Sequence, residues 1–428
     1  MIDIINEKND VEEYFNVLKK RGAINSGDYS DTVKRIVSDV ALNGDKALEE
    51  YTKKFDDPNF SISNIEITKE ELKEAFNSLD SKLKDVLIKS KERIYSYHMH
   101  QKRETWEYID SIGATLGQKI TPLERVGVYV PGGKAAYPSS VLMNVLPAKV
   151  AGVKNITMVT PSPKGYINKL VLAAAYVCGV DNVYRVGGAQ AIAALAYGTK
   201  SIQKVDKIVG PGNIFVALAK REVYGLVGID SIAGPSEICI IADETANPKY
   251  LAADLLGQAE HDEEASSTLF ITDYLLADKV KKELINFYND SPRKNILDKS
   301  LTNYSKIIVV NSLNEAIDYT NRLAPEHLEL QLDKARSIVN EIKNSGAIFI
   351  GHYAAEALGD YMAGPNHVLP TVGTARFFSP LSVDDFIKKS SLIEFSKEAC
   401  LKLIDDVDTF ANAEGLTMHA LSAIVRKE

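Results

Sequence analysis

The sequence predicts an α/β protein that contains two parallel sheets, and three observations support this prediction. Four times between residues 126 and 224, a short apolar strand is followed by a turn and an apolar helix. A second series of alternating strands and helices runs from residue 238 to residue 350. Such alternation is typical of parallel sheets with crossover helices. The 428 residues also exceed what one compact core holds, so we expect at least two domains.

The composition is that of an ordinary globular protein, with 45% hydrophobic and 25% charged residues. The net charge of −8 gives no hint of the basic face that a general affinity for nucleic acid requires. No stretch approaches the roughly 20 consecutive apolar residues of a membrane helix. We therefore expect neither nucleic acid nor a membrane as a partner.

The first residues and the cysteines lead us to expect a cytoplasmic location. Residues 1–7 show no basic leader followed by an apolar run, so we expect no secretion signal. Cys178, Cys239 and Cys400 are odd in number and far apart, and they form neither a CxxC pair nor a disulfide framework. A reducing compartment explains this pattern most simply. Cys239 alternates within an apolar strand, which favours a buried structural thiol over a nucleophile.

The elements before the first series are predicted to be mainly helical. Residues 11–20 and 28–55 each show the spacing of a helix, and residues 68–103 form a long amphipathic helical region. Residues 106–120, which include Gly113 and Gly117, predict a hairpin.

The first α/β series places glycine-rich turns where strands end. Its predicted strands are 126–130, 155–160, 182–186 and 207–209, and its helices end near 151, 178, 197 and 224. Three of the turns are glycine-rich: Pro131-Gly132-Gly133, Gly187-Gly188 and Gly210-Pro211-Gly212. Helix N-termini that follow such turns expose backbone N–H groups suited to an anion.

The second α/β series follows the same pattern and leads into a tail. Its predicted strands are 238–242, 268–272, 306–310 and 347–350, and its helices are 247–261, 276–288, 313–322 and 333–344. Residues 384–428 are predicted to be helices with no strand between them.

The glycine-rich turns are candidates for a cofactor site, although none has the spacing G-x-G-x-x-G. Gln190 and Asn213 stand near helix starts, where their side chains can bond a ligand. Tyr129, in the strand before Pro131, can stack on or hold a flat ring. The sequence supports equally well the alternative that these glycines only shape the turns.

The stretch 255–262 offers candidate metal ligands. Gln258 and His261 are three residues apart, so on a helix they share one face. Imidazole and amide oxygen can both bind a metal, and imidazole is a common zinc ligand. With Asp360 and His419, two imidazoles, one carboxylate and one amide are available. These spacings match no short metal motif, and an ordinary helix end with a hydrogen-bonded Gln and His is the alternative.

Two further segments carry groups suited to acid–base work or to substrate binding. Glu326 and His327 follow a proline, and such a pair can act as acid and base, or can be a solvated pair at a helix end. Ser236, in a turn, can bond a substrate or, as is more common, its own backbone. Asp360 and His367 lie on a Gly/Pro-rich loop that we expect at the carboxyl side of a strand.

Eight segments in order resemble the histidinol dehydrogenase family along nearly the whole chain. They are Val-Pro-Gly-Gly (130–133), Gly-Pro-Gly-Asn (210–213), Ala-Gly-Pro-Ser-Glu (233–237), Gln-Ala-Glu-His (258–261), Ala-Pro-Glu-His-Leu (324–328), Gly-Asp-Tyr (359–361), Asn-His-Val-Leu-Pro (366–370) and Glu-Gly-Leu-x-x-His (414–419). Any one of them is weak, whereas the ordered set is specific.

The resemblance implies a homodimer with two Rossmann-like domains and small N- and C-terminal helical extensions. The expected division is an extension at 1–25, a first domain of 26–128 plus 237–381, an NAD-side domain of 129–236 and a helical tail of 382–428. The first domain would hold the metal and catalytic residues. The tail of one protomer would complete the active site of the other.

The resemblance also implies roles for individual residues. Zinc, one ion per subunit, would be held by Gln258, His261, Asp360 and His419. NAD would be held by Tyr129, Gln190 and Asn213. The substrate would contact Ser236, His327, His367 and Glu414 together with the metal ligands, and the catalytic residues would be Glu326 and His327.

The implied activity is the last step of histidine biosynthesis. L-histidinol would be oxidised to L-histidine in two hydride transfers to NAD, through L-histidinaldehyde. The first alternative is a relative within the family that oxidises another small amino or diol alcohol. A zinc hydrolase with Glu326 as its base, and a metal-dependent scaffold without activity, are more remote alternatives.

Overall fold

The computed structural model describes residues 2–21, 27–132 and 137–428. Gly133, the last residue of the first predicted glycine turn, lies outside this range. The described residues form two six-stranded sheets and one three-stranded sheet, which confirms the predicted α/β class. None of the helices in these ranges combines the length and apolar character needed to cross a bilayer.

The strands of the described chain number fifteen. In order they are β1 (Asp3–Ile5), β2 (Glu66–Ile67), β3 (Trp106–Ile109), β4 (Thr115–Pro122), β5 (Arg125–Tyr129), β6 (Asn155–Val159), β7 (Asn182–Tyr184), β8 (Lys207–Val209), β9 (Gly228–Ile229), β10 (Glu237–Ala242), β11 (Ser266–Ile271), β12 (Lys306–Val309), β13 (His327–Gln331), β14 (Ala347–Ile350) and β15 (Ile387–Glu394).

The helices alternate with these strands as the sequence predicts. They are α1 (Lys8–Arg21), α2 (Gly27–Asn43), α3 (Asp45–Phe55), α4 (Lys69–Asn77), α5 (Ser81–Met99), α6 (Pro138–Ala151), α7 (Lys169–Cys178), α8 (Gly188–Tyr197), α9 (Ile214–Val223), α10 (Pro248–Ala259), α11 (Tyr274–Asp290), α12 (Lys294–Asn303), α13 (Leu313–Leu323), α14 (Glu356–Leu358), α15 (Lys397–Leu401), α16 (Ile404–Ala413) and α17 (Thr417–Ile424).

Two long predicted helices are each divided in the structure. The helix predicted at 28–55 breaks into α2 and α3 at Gly44, whose φ of 54° suits glycine better than any residue with a side chain. The region 68–103 contains α4 and α5, and Asp80 caps the start of α5 by accepting from the N–H of Leu83. The helix predicted at 333–344 is a 3₁₀ helix, Ala335–Glu341.

Sheet A, with the order β1-β12-β11-β10-β13-β14, is parallel throughout. Every residue of β10, β11 and β13 is buried, as expected for central strands covered on both faces. The chain first adds β11 and β12 on one side of β10 and later adds β13 and β14 on the other side.

Sheet B has the order β2-β7-β6-β5-β8-β9, and it is parallel except for β2. From β5 the chain builds β6 and β7 on one side, then returns to place β8 and β9 on the other. The strand order therefore reverses between β5 and β8, and ligands of open α/β sheets bind outside the carboxyl ends of strands at such a switch point.

Sheet C is antiparallel, with the order β15-β4-β3, and β3 and β4 form the predicted hairpin. The prediction that residues 384–428 are helical throughout is wrong at their start. Residues 387–394 form β15, which pairs with β4 along its full length, from Ile387 opposite Pro122 to Glu394 opposite Thr115. A short 3₁₀ helix, Val383–Phe386, precedes β15, and the part after β15, from α15 to α17, is helical.

The predicted domain limits stay a prediction, although sheet membership differs from them at three places. β1, from the predicted N-terminal extension, is the edge strand of sheet A. β2 and β5, which fall in the first predicted domain or at its limit, belong to sheet B. Helix α1 packs its buried face, which includes Tyr14 and Phe15, against the core beside sheet A.

Candidate active site

The functional residues of sheet A lie at its amino-terminal edge. Glu237 begins β10, and His327 begins the neighbouring β13, where it is paired with Ile238. Helix α10 runs back along the sheet and brings Gln258 to the same edge. The expectation that the loop with Asp360 works at the carboxyl side of a strand is therefore corrected. The loop follows β14, but Asp360 lies beside the groups at the starts of the strands.

Glu326 and His327 are buried, which excludes the alternative of a solvated pair at a helix end. Ala324 caps the end of helix α13 with a left-handed backbone, φ 52°, and β13 starts three residues later. The pair therefore enters the sheet directly, and only 5% of each residue remains exposed.

The backbone of Glu237 binds both of these side chains. Its N–H donates to Oε2 of Glu326 at 2.9 Å, and its carbonyl oxygen lies 3.1 Å from Nδ1 of His327. A carbonyl oxygen can only accept, so this contact assigns the imidazole proton to Nδ1. Nε2 of His327 is buried and finds no hydrogen-bond partner within the described part of the chain. It carries a lone pair that a ligand can use.

Burial shifts the pKa of both groups toward the uncharged form. Burial raises the pKa of Glu326 well above its usual range, and the carboxylate of Glu237 adds to this effect. Burial lowers the pKa of His327 to about 4, against the attraction of Asp360. His327 is therefore a neutral imidazole near pH 7, as a proton acceptor must be.

A group of metal-capable side chains lies beside this pair. His261, Glu356 and Asp360 each offer a ligand atom, and these atoms lie within 4.8 Å of one another. The amide of Gln258, with its nitrogen facing Glu356, donates to the two carboxylate oxygens at 2.8 and 3.1 Å. The structure thus brings together three of the four predicted metal ligands: Gln258, His261 and Asp360.

Glu356 belongs to this group, although it was not among the predicted metal ligands. It lies in the short helix α14, which continues as a π-helix, Gly359–Ala363, so Glu356 and Asp360 occupy successive turns. The spacing of four residues between two acids was a signal that could have found it. Burial raises the pKa of Glu356 well above its usual range, and the charges of Asp360 and Glu326 raise it further.

Two predicted residues in the tail are not joined to this group within the single chain. Glu414 caps the end of α16, and His419 lies in α17. Both are exposed, and His419 is not a member of the metal-capable group found among the described residues.

His367 and Ser236 flank the pair at the edge of sheet A. Nε2 of His367 is buried without a partner in the described ranges, and burial lowers the pKa of this imidazole. The adjacent Asn366 donates to the carbonyl of Met143 in α6 at 2.7 Å, which ties the loop to the helices of sheet B. Ser236 is half-buried and directly precedes Glu237.

The three candidate cofactor residues lie after strands of sheet B or at their ends. The hydroxyl of Tyr129 accepts from the N–H of Gly188 at 3.2 Å, and burial raises its pKa to about 12. Oδ1 of Asn213 caps α9 by accepting two backbone N–H groups. Gln190 is buried in the first turn of α8. Each therefore shapes a glycine turn, whereas the flat-ring contact expected of Tyr129 stays a prediction.

Comparisons with known proteins decide the family. A family model described as histidinol dehydrogenase matches residues 19–427. The chain belongs to the histidinol dehydrogenase family. It is 53% identical over 418 residues to a histidinol dehydrogenase of Clostridium acetobutylicum, covering 97% of this chain and 96% of that one. It is 52% identical to one of Nitrosomonas europaea over 393 residues, with coverage of 92% and 91%.

A solved structure extends the likeness to the fold. The crystal structure of histidinol dehydrogenase from Elizabethkingia anophelis matches with a TM-score of 0.94 and 36% sequence identity, covering 99% of this chain and 98% of that one. Membership in the histidinol dehydrogenase family makes this chain an oxidoreductase, a dehydrogenase of histidine biosynthesis. The alternatives of a zinc hydrolase and of a scaffold without activity are thereby excluded.

Proposed function

We propose that this chain oxidises L-histidinol to L-histidine in two successive hydride transfers to NAD, through L-histidinaldehyde, with one zinc ion per subunit. The observation that carries the proposal is the pairing of buried Glu326 and His327 on the backbone of Glu237, beside the metal-capable side chains. A base with a free nitrogen, a carboxyl group and a metal-capable group of side chains that lie side by side are what a two-step alcohol oxidation requires.

The donor set fits a divalent ion such as zinc. Imidazole and carboxylate groups are both ligands that zinc accepts. A bound cation would also stabilise the charged forms of the two acids of the group, Glu356 and Asp360. Gln258, His261 and Asp360 would hold the ion, and the partner subunit's His419 would complete the set. When bound, the ion would hold and polarise the substrate's nitrogen and oxygen groups.

The glycine turns of sheet B fit a dinucleotide. The reversal of strand order between β5 and β8 places the turns after Tyr129 and Val209 side by side. Gly210 has a φ of 110°, and a Cβ there would lie 2.1 Å from the carbonyl oxygen of Tyr129. This close approach leaves backbone rather than side chains facing the crevice. Tyr129, Gln190 and Asn213 would position NAD, and a fresh NAD molecule would accept the hydride in each of the two oxidations.

His327 acts as the base of the first oxidation. Its proton is held on Nδ1 by the carbonyl of Glu237, so Nε2 is free to remove the hydroxyl proton as hydride leaves the carbinol carbon. The aldehyde stays bound. Ser236, His367 and the partner subunit's Glu414 would contact the substrate and keep it in place.

Glu326 serves the second oxidation by activating water. The N–H of Glu237 holds Oε2 and lowers the pKa of Glu326 against the larger effect of burial, and the other oxygen is left to accept a proton from water. As the water adds to the aldehyde carbon, Glu326 takes one proton of the water and His327 returns its proton from the first oxidation to the carbonyl oxygen, which gives the hydrate. His327, neutral again, then takes a hydroxyl proton of the hydrate as the second hydride leaves to a second NAD. L-histidine is released, and the protons on Glu326 and His327 pass to solvent.

The exposed position of His419 and Glu414 in one chain supports a homodimer in which tails are exchanged. Residues that the chemistry needs would then reach the site from the partner. A cytoplasmic location also remains part of the proposal.

The test measures the yield of NADH per L-histidinol. We expect two equivalents, a loss of activity with a chelator and recovery with zinc. A single equivalent contradicts the second oxidation. A panel of other small amino and diol alcohols separates L-histidinol from another family substrate, and faster oxidation of one of them overturns the substrate assignment.

A further inference from the structure

The side chain of Glu237, whose backbone binds both candidate catalytic residues, is itself held from a distance. Glu237 is 3% exposed, and its carboxylate has two kinds of partner. Nη2 of Arg21 donates to Oε2 at 2.6 Å, and the N–H of Val372 donates to Oε1 at 3.0 Å. Neither contact is used in the reaction described above.

Arg21 is the last residue of helix α1, and it reaches the edge of sheet A completely buried. Its side chain has no exposed surface, and Nη1 donates to the carbonyl of Glu264 at 2.8 Å. Burying a charge is costly unless it is paired and hydrogen-bonded. One guanidinium thus joins Glu237 at the start of β10 to the turn before β11.

The loop that completes this arrangement has a strained backbone. Val372 has a φ of 54°, which is unusual for a β-branched residue. The adjacent Thr371 accepts the N–H of Gly234 at 2.7 Å, so the loop closes on the turn before Glu237. Strain of this kind persists only where the surroundings hold it, and the carboxylate of Glu237 does so by accepting the N–H of Val372.

We propose that Arg21 is a positioning residue for the oxidation. By holding the side chain of Glu237, it fixes the backbone N–H that orients Glu326 and the backbone carbonyl that sets the tautomer of His327. The inference rests on the proposed roles of these two residues. It assigns a catalytic consequence to the end of the N-terminal helix, which acts through Glu237.

The competing explanation is that Arg21 only anchors α1. The helix has other anchors, since Tyr14 bonds Thr268 at 2.7 Å and Glu12 forms an exposed ion pair with Arg322 at 2.8 Å. A simple anchor should affect stability, and any effect on rate should be independent of Glu326. A positioning residue should lose much of its effect once Glu326 is removed.

The experiment is a double-mutant cycle on aldehyde oxidation with Arg21→Met and Glu326→Gln. We expect Arg21→Met alone to lower kcat by up to about 100-fold with little change in KM, because small displacements of catalytic groups have effects of that order. In the Glu326→Gln background, Arg21→Met should lower kcat by a clearly smaller factor, because only the effect transmitted through His327 remains. Equal fold-losses in both backgrounds overturn the inference.

Two further variants keep the test sharp. Glu12→Gln is the matched control, because it breaks an ion pair of the same helix without touching Glu237, and it should leave kcat unchanged. If Arg21→Met does not fold, Arg21→Lys replaces it in the cycle. Lysine keeps the positive charge but lacks the planar guanidinium that binds Glu237 and Glu264 together. We therefore expect a smaller loss of kcat that again depends on Glu326.

Failure of the proposed function is distinguishable from failure of this inference. If Glu326→Gln does not slow aldehyde oxidation, the role of Glu326 is wrong, and the ¹⁵N spectrum of His327 becomes the deciding readout. The proposal expects the single Nδ1–H tautomer of the parent to be lost or mixed in Arg21→Met. An unchanged tautomer overturns it.

Discussion

With its nitrogen facing Glu356, the side-chain amide of Gln258 donates to both carboxylate oxygens of Glu356, at 2.8 and 3.1 Å. If the proposed zinc ion binds beside it, Glu356 is either a ligand or the group that orients the ligand next to it. In both cases its carboxylate is part of the proposed metal site.

Replacing Glu356 by Gln should therefore weaken zinc binding. We expect a loss of roughly 10- to 100-fold in affinity, the usual effect of removing a group that orients a metal ligand. Activity should return when zinc is raised. Zinc titration of chelator-treated protein measures the effect, and Glu260→Gln is the control, because it removes a nearby carboxylate outside the metal-capable group. Unchanged affinity in Glu356→Gln contradicts the assignment.

Replacing Glu326 by Gln should slow aldehyde oxidation more than alcohol oxidation. Glutamine keeps an acceptor for the N–H of Glu237 but cannot take a proton from water. We expect aldehyde oxidation to fall by about 10²- to 10⁴-fold, the range of general base catalysis. Separate assays that start from L-histidinol and from L-histidinaldehyde measure the two steps, and equal slowing of both refutes the water-activating role.

Replacing Cys239 by Ser should leave both oxidations intact. Cys239 is fully buried in β10, and burial raises its pKa to about 12, so it is a protonated thiol near pH 7. Its sulfur lies 3.6 Å from the hydroxyl of Thr320, a contact that a serine can keep. Steady-state rates on both substrates provide the check. Selective loss of the second oxidation would support a covalent aldehyde adduct instead.

Exchange of tails between protomers can be tested by mixing two variants that are each impaired in aldehyde oxidation, with aldehyde oxidation as the assay. Glu326→Gln damages the body of a chain, and His419→Ala damages its tail. If tails are exchanged, the mixed dimer has one site with an intact body and an intact tail, so mixing should restore activity. If each tail serves its own chain, every site stays defective. Unfolding and refolding the variants together, with each variant alone as control, gives the comparison.

The metal-free protein should lose stability as the pH rises above 6.5. Burial raises the pKa of Glu326, Glu329 and Glu356 well above the unfolded value of 4.5, so the native state binds more protons than the unfolded state. Stability then falls with rising pH. His327 has the opposite effect, because its pKa is 6.5 in the unfolded chain and about 4 in the folded one. It makes stability rise with pH between these two values and adds no slope above pH 6.5.

Denaturation of chelator-treated protein at a series of pH values measures this slope. Glu329→Gln removes one of the three acids and should flatten the curve. A free energy of unfolding that is constant or rises with pH in the parent chain contradicts the prediction.

The alternation of strands and helices could be predicted because buried parallel strands are apolar throughout. β13 was not predicted from the sequence because it contains the polar residues Glu329 and Gln331. These polar residues are tolerated in the core since Gln331 donates to Glu329 at 3.0 Å, and Glu329 also accepts the N–H of Glu356. β15 was not predicted for the opposite reason. Its side chains are mostly exposed, so it lacks the apolar pattern that marks a half-buried strand.

The resemblance predicted that Gln258, His261 and Asp360 lie close together. Their spacing along the sequence does not indicate this. The part played by Glu237 could not be foreseen. It acts through backbone atoms, and any residue type supplies an N–H and a carbonyl. Its carboxylate is explained by Arg21, which lies 216 positions away in the chain, and by the N–H of Val372.

Because the reactive groups of sheet A lie where its strands begin, the opposite rim is free to vary. A strand of six residues such as β10 separates the two rims by about 20 Å. The connections at 243–247 and 310–312 leave the sheet on that far rim. A short peptide inserted there, or new chain termini made by circular permutation, should leave turnover unaffected. The same change in the segment 233–237 should abolish it.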